Sequence, residues 1–316
     1  MDTSNFTMVN INFSTPGFPQ PSWNQGGLIP AVIFSFCLLL GVPGNIAVII
    51  LKPNWEHLSS LCQSLVLNLA ISDLLSLLTL PLWIYNLLFG WTFGLVACKA
   101  LTYFVYCTVY SSQLTVTALS IQRYLVVVRG RQCCVQKGTL LVLLWLAAVT
   151  LCIHAVVAEQ LKKDGQWIRC LPCYSSDTEW VAVLVTENLY GLITFSLVTF
   201  SYVCLHKKVN RSAFFNNPQT TRLVISITAS NFILFAPVHV VNVLGVLAIS
   251  LKNKKLLEFC EDSWSVAKSI TFINSSLNPL LYAFISIKFC RLCPKDSPHP
   301  DEGTPQTPDI ATIAEL

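Results

Sequence analysis

The sequence predicts an all-α membrane protein: a seven-transmembrane helix bundle with its N-terminus outside and a short amphipathic C-terminal helix. Three observations carry that prediction. Apolar residues make up 53% of the 316 and charged residues only 11%, where soluble domains carry about 25%. Seven separate stretches are apolar over the roughly 20 residues needed to cross a bilayer. The segments between them are short, so seven spans use nearly the whole chain and leave no room for a separate soluble domain.

The elements follow in order. Residues 1–27 form a polar extracellular tail with Pro16, Pro19 and Pro21, without the basic stretch and apolar core of a cleavable signal peptide. The first span is therefore expected to act as its own targeting signal. Asn5-Phe6-Thr7 and Asn12-Phe13-Ser14 are glycosylation acceptors in that tail. The spans read as 28–52, 61–88, 95–128, 138–158, 180–207, 219–250 and 264–287, a bundle domain over 28–287. Residues 288–316 are the cytoplasmic helix and tail. No solenoid-like repeat interrupts this order. With the N-terminus outside, 12 of the 20 Lys and Arg residues fall on the cytoplasmic side and 8 outside, a modest positive-inside bias.

The thirteen cysteines sort by compartment. Cys37, Cys62, Cys107, Cys152 and Cys204 lie in spans, where a thiol behaves as a small apolar group. Cys98, Cys170 and Cys173 face an oxidising compartment, so a disulfide is expected among them. Cys290 and Cys293 follow the last span beside Lys288 and Arg291, a setting that suits palmitoylation.

Five polar residues sit at membrane depth: Asn45, Asp73, Ser112, Asn274 and Asn278. An Asp there costs roughly 2.5–3.5 kcal/mol on insertion scales unless it is paired or hydrated. Singly they read equally well as helix-to-helix hydrogen bonds. Together, drawn from four spans, they point to one shared water- or ion-filled pocket.

The residues also carry a family resemblance, over 28–293. Gly44-Asn45-x-x-Val48, Asn68-Leu69-Ala70-x-x-Asp73, Cys98 followed 25 residues later by Arg123, Trp145, Tyr202, Pro237 and Asn278-Pro279-x-x-Tyr282 stand one set per span in order. This pattern resembles the rhodopsin-like (class A) G-protein-coupled receptors. The resemblance implies that Asn45, Asp73, Ser112, Asn274 and Asn278 surround a sodium ion that acts as an allosteric modulator, with no other cofactor. It implies that the sixth helix swings about Pro237 on activation. Arg123, Tyr202 and Tyr282 then meet a heterotrimeric G protein, of the inhibitory class, with arrestin as a second cytoplasmic partner. It also implies a Cys98–Cys170 disulfide, leaving Cys173 free or joined to Cys260. The chain departs from the pattern at Gln122, where an acidic residue usually precedes the arginine, and at Phe235, usually Trp. Gln113 and Asn231 stand where apolar residues are usual, and are expected to hydrogen-bond to each other.

A finer resemblance is to the leukotriene B4 receptors. It rests on Ala236-Pro237-Val238-His239-Val240-Val241-Asn242, Ser120-Ile121-Gln122-Arg123, Glu187 about 17 residues after Cys170, and Ser275-Ser276-Leu277-Asn278-Pro279. It implies a lipid mediator, a hydroxylated fatty acid. Tyr110, His239, Asn242 and Glu187 would bond its hydroxyls, and Tyr103, Tyr106 and Tyr190 would line an apolar slot. Lys268 or Arg169 would hold its carboxylate. Glu159 and Trp264 stand where those relatives carry basic residues, which leaves open another lipid or a peptide chemoattractant. A non-signalling scavenger on the same fold is the remaining alternative. No phosphate-binding loop, zinc-protease motif, inverted repeat or deep seventh-helix lysine supports an enzyme, a transporter or a retinal protein, and nothing points to nucleic acid.

Overall fold

A computed structural model describes residues 24–51, 59–131, 135–164, 167–211 and 218–292. Helix α1 spans Leu28–Leu51 and carries Pro43. Its Gly41 and Gly44 lie against the seventh span: a Cβ on either would come within 2.8 Å of Ser276 Oγ or Pro279 Cβ. That close approach brings Asn45 into the bundle centre.

The second span is broken. Helix α2, Ser60–Leu77, starts at a Ser59 cap whose hydroxyl accepts from the Cys62 amide at 3.3 Å. Helix α3, Leu80–Phe89, begins at Pro81 and ends at Gly90, where φ is +79°. Pro81 cannot donate, and Thr79 and Ser76 hydroxyls take up carbonyls Ser76 O and Asp73 O, so the turn at 78–79 stays satisfied. Helix α4, Gly94–Val128, is the central column, about 52 Å long at 1.5 Å per residue. Helices α5, Lys137–Leu151, and α6, Ile153–Ala158, share the fourth span.

The second outer loop folds as a hairpin of strands β1, Glu159–Asp164, and β2, Trp167–Pro172, an antiparallel ribbon that an all-α reading omits. Its Cys170 bonds to Cys98 at a Cα–Cα distance of 5.6 Å, and its Ile168 carbonyl accepts the Trp91 amide. Helices α7, Asp177–Arg211, α8, Pro218–Ser250, and α9, Lys254–Leu292, complete the bundle.

Among the described residues, five of the spans are apolar enough to cross a membrane by length and composition. Helices α4 and α9 are long enough but carry more polar residues, because they line the sites described below. α9 starts ten residues before the expected 264. Lys252 turns with φ of +52°, and the Asn253 carboxamide caps the Leu256 amide at 3.2 Å, so the new helix starts at once. α9 also runs unbroken to Leu292, so within 254–292 no separate helix begins at 288. The core joins Val48, Leu65, Leu69, Val116, Leu119 and Ile227 from four helices, while Leu39, Leu146, Ile193 and Ile233 face outward. An apolar exterior around a partly polar interior suits a bilayer rather than water as the surrounding medium.

Candidate functional site

Two polar centres occupy the bundle interior. At the inner one Asp73 is fully buried, and its two carboxylate oxygens accept from Ser112 Oγ at 2.8 Å and Asn278 Nδ2 at 2.7 Å. Asn45 donates to the Gly41 and Ser275 carbonyls at 2.9 and 3.0 Å. The amide oxygens of Asn45, Asn274 and Asn278 are buried without a donor. A carboxylate among unanswered oxygens has the chemistry of a hard-cation site: each such acceptor costs about 1–3 kcal/mol left alone. The five residues singled out from the sequence therefore fit a sodium ion.

The outer centre lies between the hairpin and helices α4, α6, α7, α8 and α9. Glu187 on α7 accepts from Asn242 Nδ2 at 2.9 Å, and Asn242 accepts from Trp264 Nε1 at 2.7 Å. His154 Nε2 stands 3.5 Å from the other Glu187 oxygen, an ion-pair approach rather than an aligned hydrogen bond. Lys268 on α9 donates to Tyr106 at 3.1 Å and lies within electrostatic reach of Glu159 and Glu187. His239 Nδ1 pairs with Asn188 Oδ1 at 3.1 Å. Tyr110 packs edge-on to Tyr190 at 4.6 Å, with Tyr106 6.1 Å away.

Glu159, the first residue of β1, is only 7% exposed. Burial pushes its carboxyl up to about 7, against the pull of Lys268 and Lys99. One oxygen is 3.7 Å from Cys170 Sγ, a contact without a proton because that sulfur is in the disulfide. Arg169 sits on β2 directly opposite Lys162. The aromatic rings of Tyr174, Trp180 and Trp264 form a chain with centroids 5.5 and 5.7 Å apart.

At the cytoplasmic end Arg123 is buried, with Nη2 3.4 Å from Cys62 Sγ and Nε unpartnered. Gln122 donates to Ser59 Oγ at 3.0 Å. Tyr202 borders a small cavity with Ser120, Ser201 and Thr228. The Tyr282 and Cys290 side chains lie outside the described residues, as do Asn5, Asn12 and Cys293.

Residues 44–282 match the family model of the 7 transmembrane receptor (rhodopsin family). The chain belongs to that family. The receptor is 30% identical to human C-C chemokine receptor type 8 over 291 residues, 88% of this chain and 81% of that protein. It is 27% identical to G-protein coupled receptor E1 of equine herpesvirus 2, covering 90% and 77%. Human chemokine XC receptor 1 is likewise 27% identical, covering 85% and 81%. The chain is thus a multi-pass plasma-membrane receptor that couples to G proteins, and not an enzyme.

One sequence expectation changes against the receptor's geometry. Gln113 and Asn231 do not pair, and Asn231 Nδ2 is buried without a partner. Helices α4 and α8 run antiparallel, with Ser120 opposite Thr228. Counting seven residues outward from each places Gln113 level with Phe235, about 6 Å from the level of Asn231. Of the two states expected for Cys173 the structure has the free one, and Cys260 is also free, buried against Val241 and Ala267.

The receptor also uses residues that pattern reading missed. Gly191 leaves the space His239 occupies, since a Cβ there would lie 2.0 Å from the imidazole. Gly245 does the same for Trp264, at 2.7 Å. His154 and Asn188 complete the partners of Glu187 and His239. A glycine opposite an aromatic on the next helix leaves no signal in a single sequence.

Proposed function

We propose that this receptor recognises a peptide chemoattractant bearing basic groups and signals through an inhibitory-class G protein. One observation carries the reading: Lys268, the cation expected to hold a fatty-acid carboxylate, is matched by two carboxylates, Glu159 and Glu187. A free acid entering there would have to take Lys268 from Glu187, whereas an ammonium or guanidinium would find a carboxylate acceptor in place. The likeness to chemokine receptors supports the same choice.

In this reading the ligand biases a two-state bundle. Tyr106, Tyr110, His239 and Asn242 shape the wall of the pocket, and Arg169 lies at its outer rim. Sodium at Asp73, Asn45, Ser112, Asn274 and Asn278 favours the inactive state. Arg123, Tyr202 and Tyr282 form the coupling surface once α8 moves outward. Glycans on Asn5 and Asn12 and acyl chains on Cys290 and Cys293 belong to the same proposal.

The test is a cAMP-inhibition screen of cells expressing the full chain, with a panel of chemokines and leukotriene B4 side by side. A response to a chemokine supports the reading. A response to leukotriene B4 with none to any chemokine returns the lipid mediator. Binding of a chemokine without any G-protein response marks a scavenger.

A further inference from the structure

The seam between α4 and α8 carries an unusual closure. Among the described side chains, the only hydrogen bond joining these helices is Ser120 Oγ to Thr228 Oγ1, at 3.0 Å. Both residues are buried, at 5% and 7% exposure. Ser120 Oγ also lies 3.0 Å from the Val116 carbonyl of its own helix. A hydroxyl has one proton to give, so with that proton on Val116 the Ser120 oxygen accepts from Thr228. The result is a relay from α8 through Ser120 into the α4 backbone.

Its surroundings make the pair matter. Ser120 lies one turn before Arg123, and among the described residues no carboxylate pairs with that guanidinium. Gln122 is occupied with Ser59 instead. Beside the hydroxyl pair a cavity of about 10 Å³, bordered by Ser201 and Tyr202, separates α4, α7 and α8. Atoms facing a void lose the dispersion contacts that close packing would give. At this level Ile227 of α8 packs against Val116 and Leu119 of α4, and beside that apolar contact a neutral hydrogen bond holds the place that an ion pair would otherwise take.

We propose that the Ser120–Thr228 pair is the latch that keeps the cytoplasmic half of α8 against α4 in the inactive receptor. It rests on the reading that α8 moves outward when a G protein engages. Because such bonds inside membranes are weak, the latch sets a low threshold. Losing it changes the open-to-closed ratio by about 3-fold, and by up to about 20-fold.

The experiment compares the full-length wild type with Thr228→Val, Ser120→Ala, the double variant and Thr228→Ser. Valine keeps the threonine shape and removes the donor, and serine keeps the donor. Two readouts are taken without ligand: nucleotide exchange on a purified inhibitory-class G protein, and backbone hydrogen exchange over 218–235 with no G protein present. The latch predicts that Thr228→Val and Ser120→Ala each raise both by about 3- to 20-fold. It also predicts that the double variant goes no further than either single one, and that Thr228→Ser matches the wild type. Unchanged hydrogen exchange in Thr228→Val, or single effects that simply add, overturns the latch. Faster hydrogen exchange with no gain in nucleotide exchange supports the latch and counts against the coupling reading.

Discussion

The outer and inner polar centres differ in how completely their groups are answered. In the outer pocket most acceptors are answered: Glu187 has Asn242 and, less closely, His154, Asn242 has Trp264, Lys268 has Tyr106, and His239 has Asn188, while His154 Nε2 and Tyr190 Oη are buried without a hydrogen-bond partner. Around Asp73 the donors are used, but three amide oxygens face no donor at all. A satisfied network is preformed and must be out-competed by whatever enters it. An unsatisfied one is completed by what enters, and three oxygens beside a carboxylate admit a small cation. One fold thus keeps a selective outer site and a receptive inner one along the same helices.

The largest effect comes from loosening the outer site without touching its charges. Cys98→Ser opens the link to Cys170 across 72 residues of chain and should cost about 2–5 kcal/mol. Thermal unfolding in detergent reads this loss, and an unchanged midpoint would mean the hairpin is held by its backbone contacts instead. The inner site should respond to sodium. At ten times its dissociation constant sodium should stabilise the wild type by about 1.4 kcal/mol, lower agonist affinity, and do neither in Asp73→Asn. Equal sodium responses in the two proteins would reduce the Asp73 group to helix-to-helix hydrogen bonding.

A smaller effect follows from Glu159. Its carboxyl stands at about 7 in the folded chain, against an ordinary value of 4.5. Between those values the folded chain keeps a proton that the unfolded chain lacks, so stability falls as pH rises through that window. The same ionisation adds negative charge to the pocket, so affinity for a cationic ligand should rise from pH 6 to pH 8. Glu159→Gln should flatten both trends. An unaltered pH profile in that variant would contradict the assignment of the titration to Glu159.

Much of the inner centre was legible in the sequence. Asp73 and its four companions stand out because each interrupts an apolar stretch, and the bundle brings Asp73, Ser112 and Asn278 into direct contact. The outer pocket was legible only as a set of names. That Glu159 comes within electrostatic reach of Lys268 depends on a hairpin folding back over α4, which no helical period announces. Sequence reading therefore gave Lys268 to a carboxylate, before its two acidic neighbours were visible. The Gln113–Asn231 pairing failed for a related reason: polar type suggests partners, but the relative height of two antiparallel helices decides them. His239 stood out as a polar residue just past Pro237, but its seat against Asn188 and Gly191 of α7 is set by a neighbouring helix.

The central claim is that charge in the outer pocket selects a basic ligand, and paired charge removals test it most directly. The measurement is the potency of an activating chemokine in G-protein nucleotide exchange, on the wild type, Glu187→Gln and Lys268→Gln. Removing one charge-assisted bond should cost about 1.5–3 kcal/mol, so Glu187→Gln should weaken potency roughly 10- to 150-fold. Lys268→Gln should leave potency unchanged or raise it, because it removes the charge that opposes the ligand. Loss of potency in Lys268→Gln with none in Glu187→Gln would contradict the account and identify an anionic ligand.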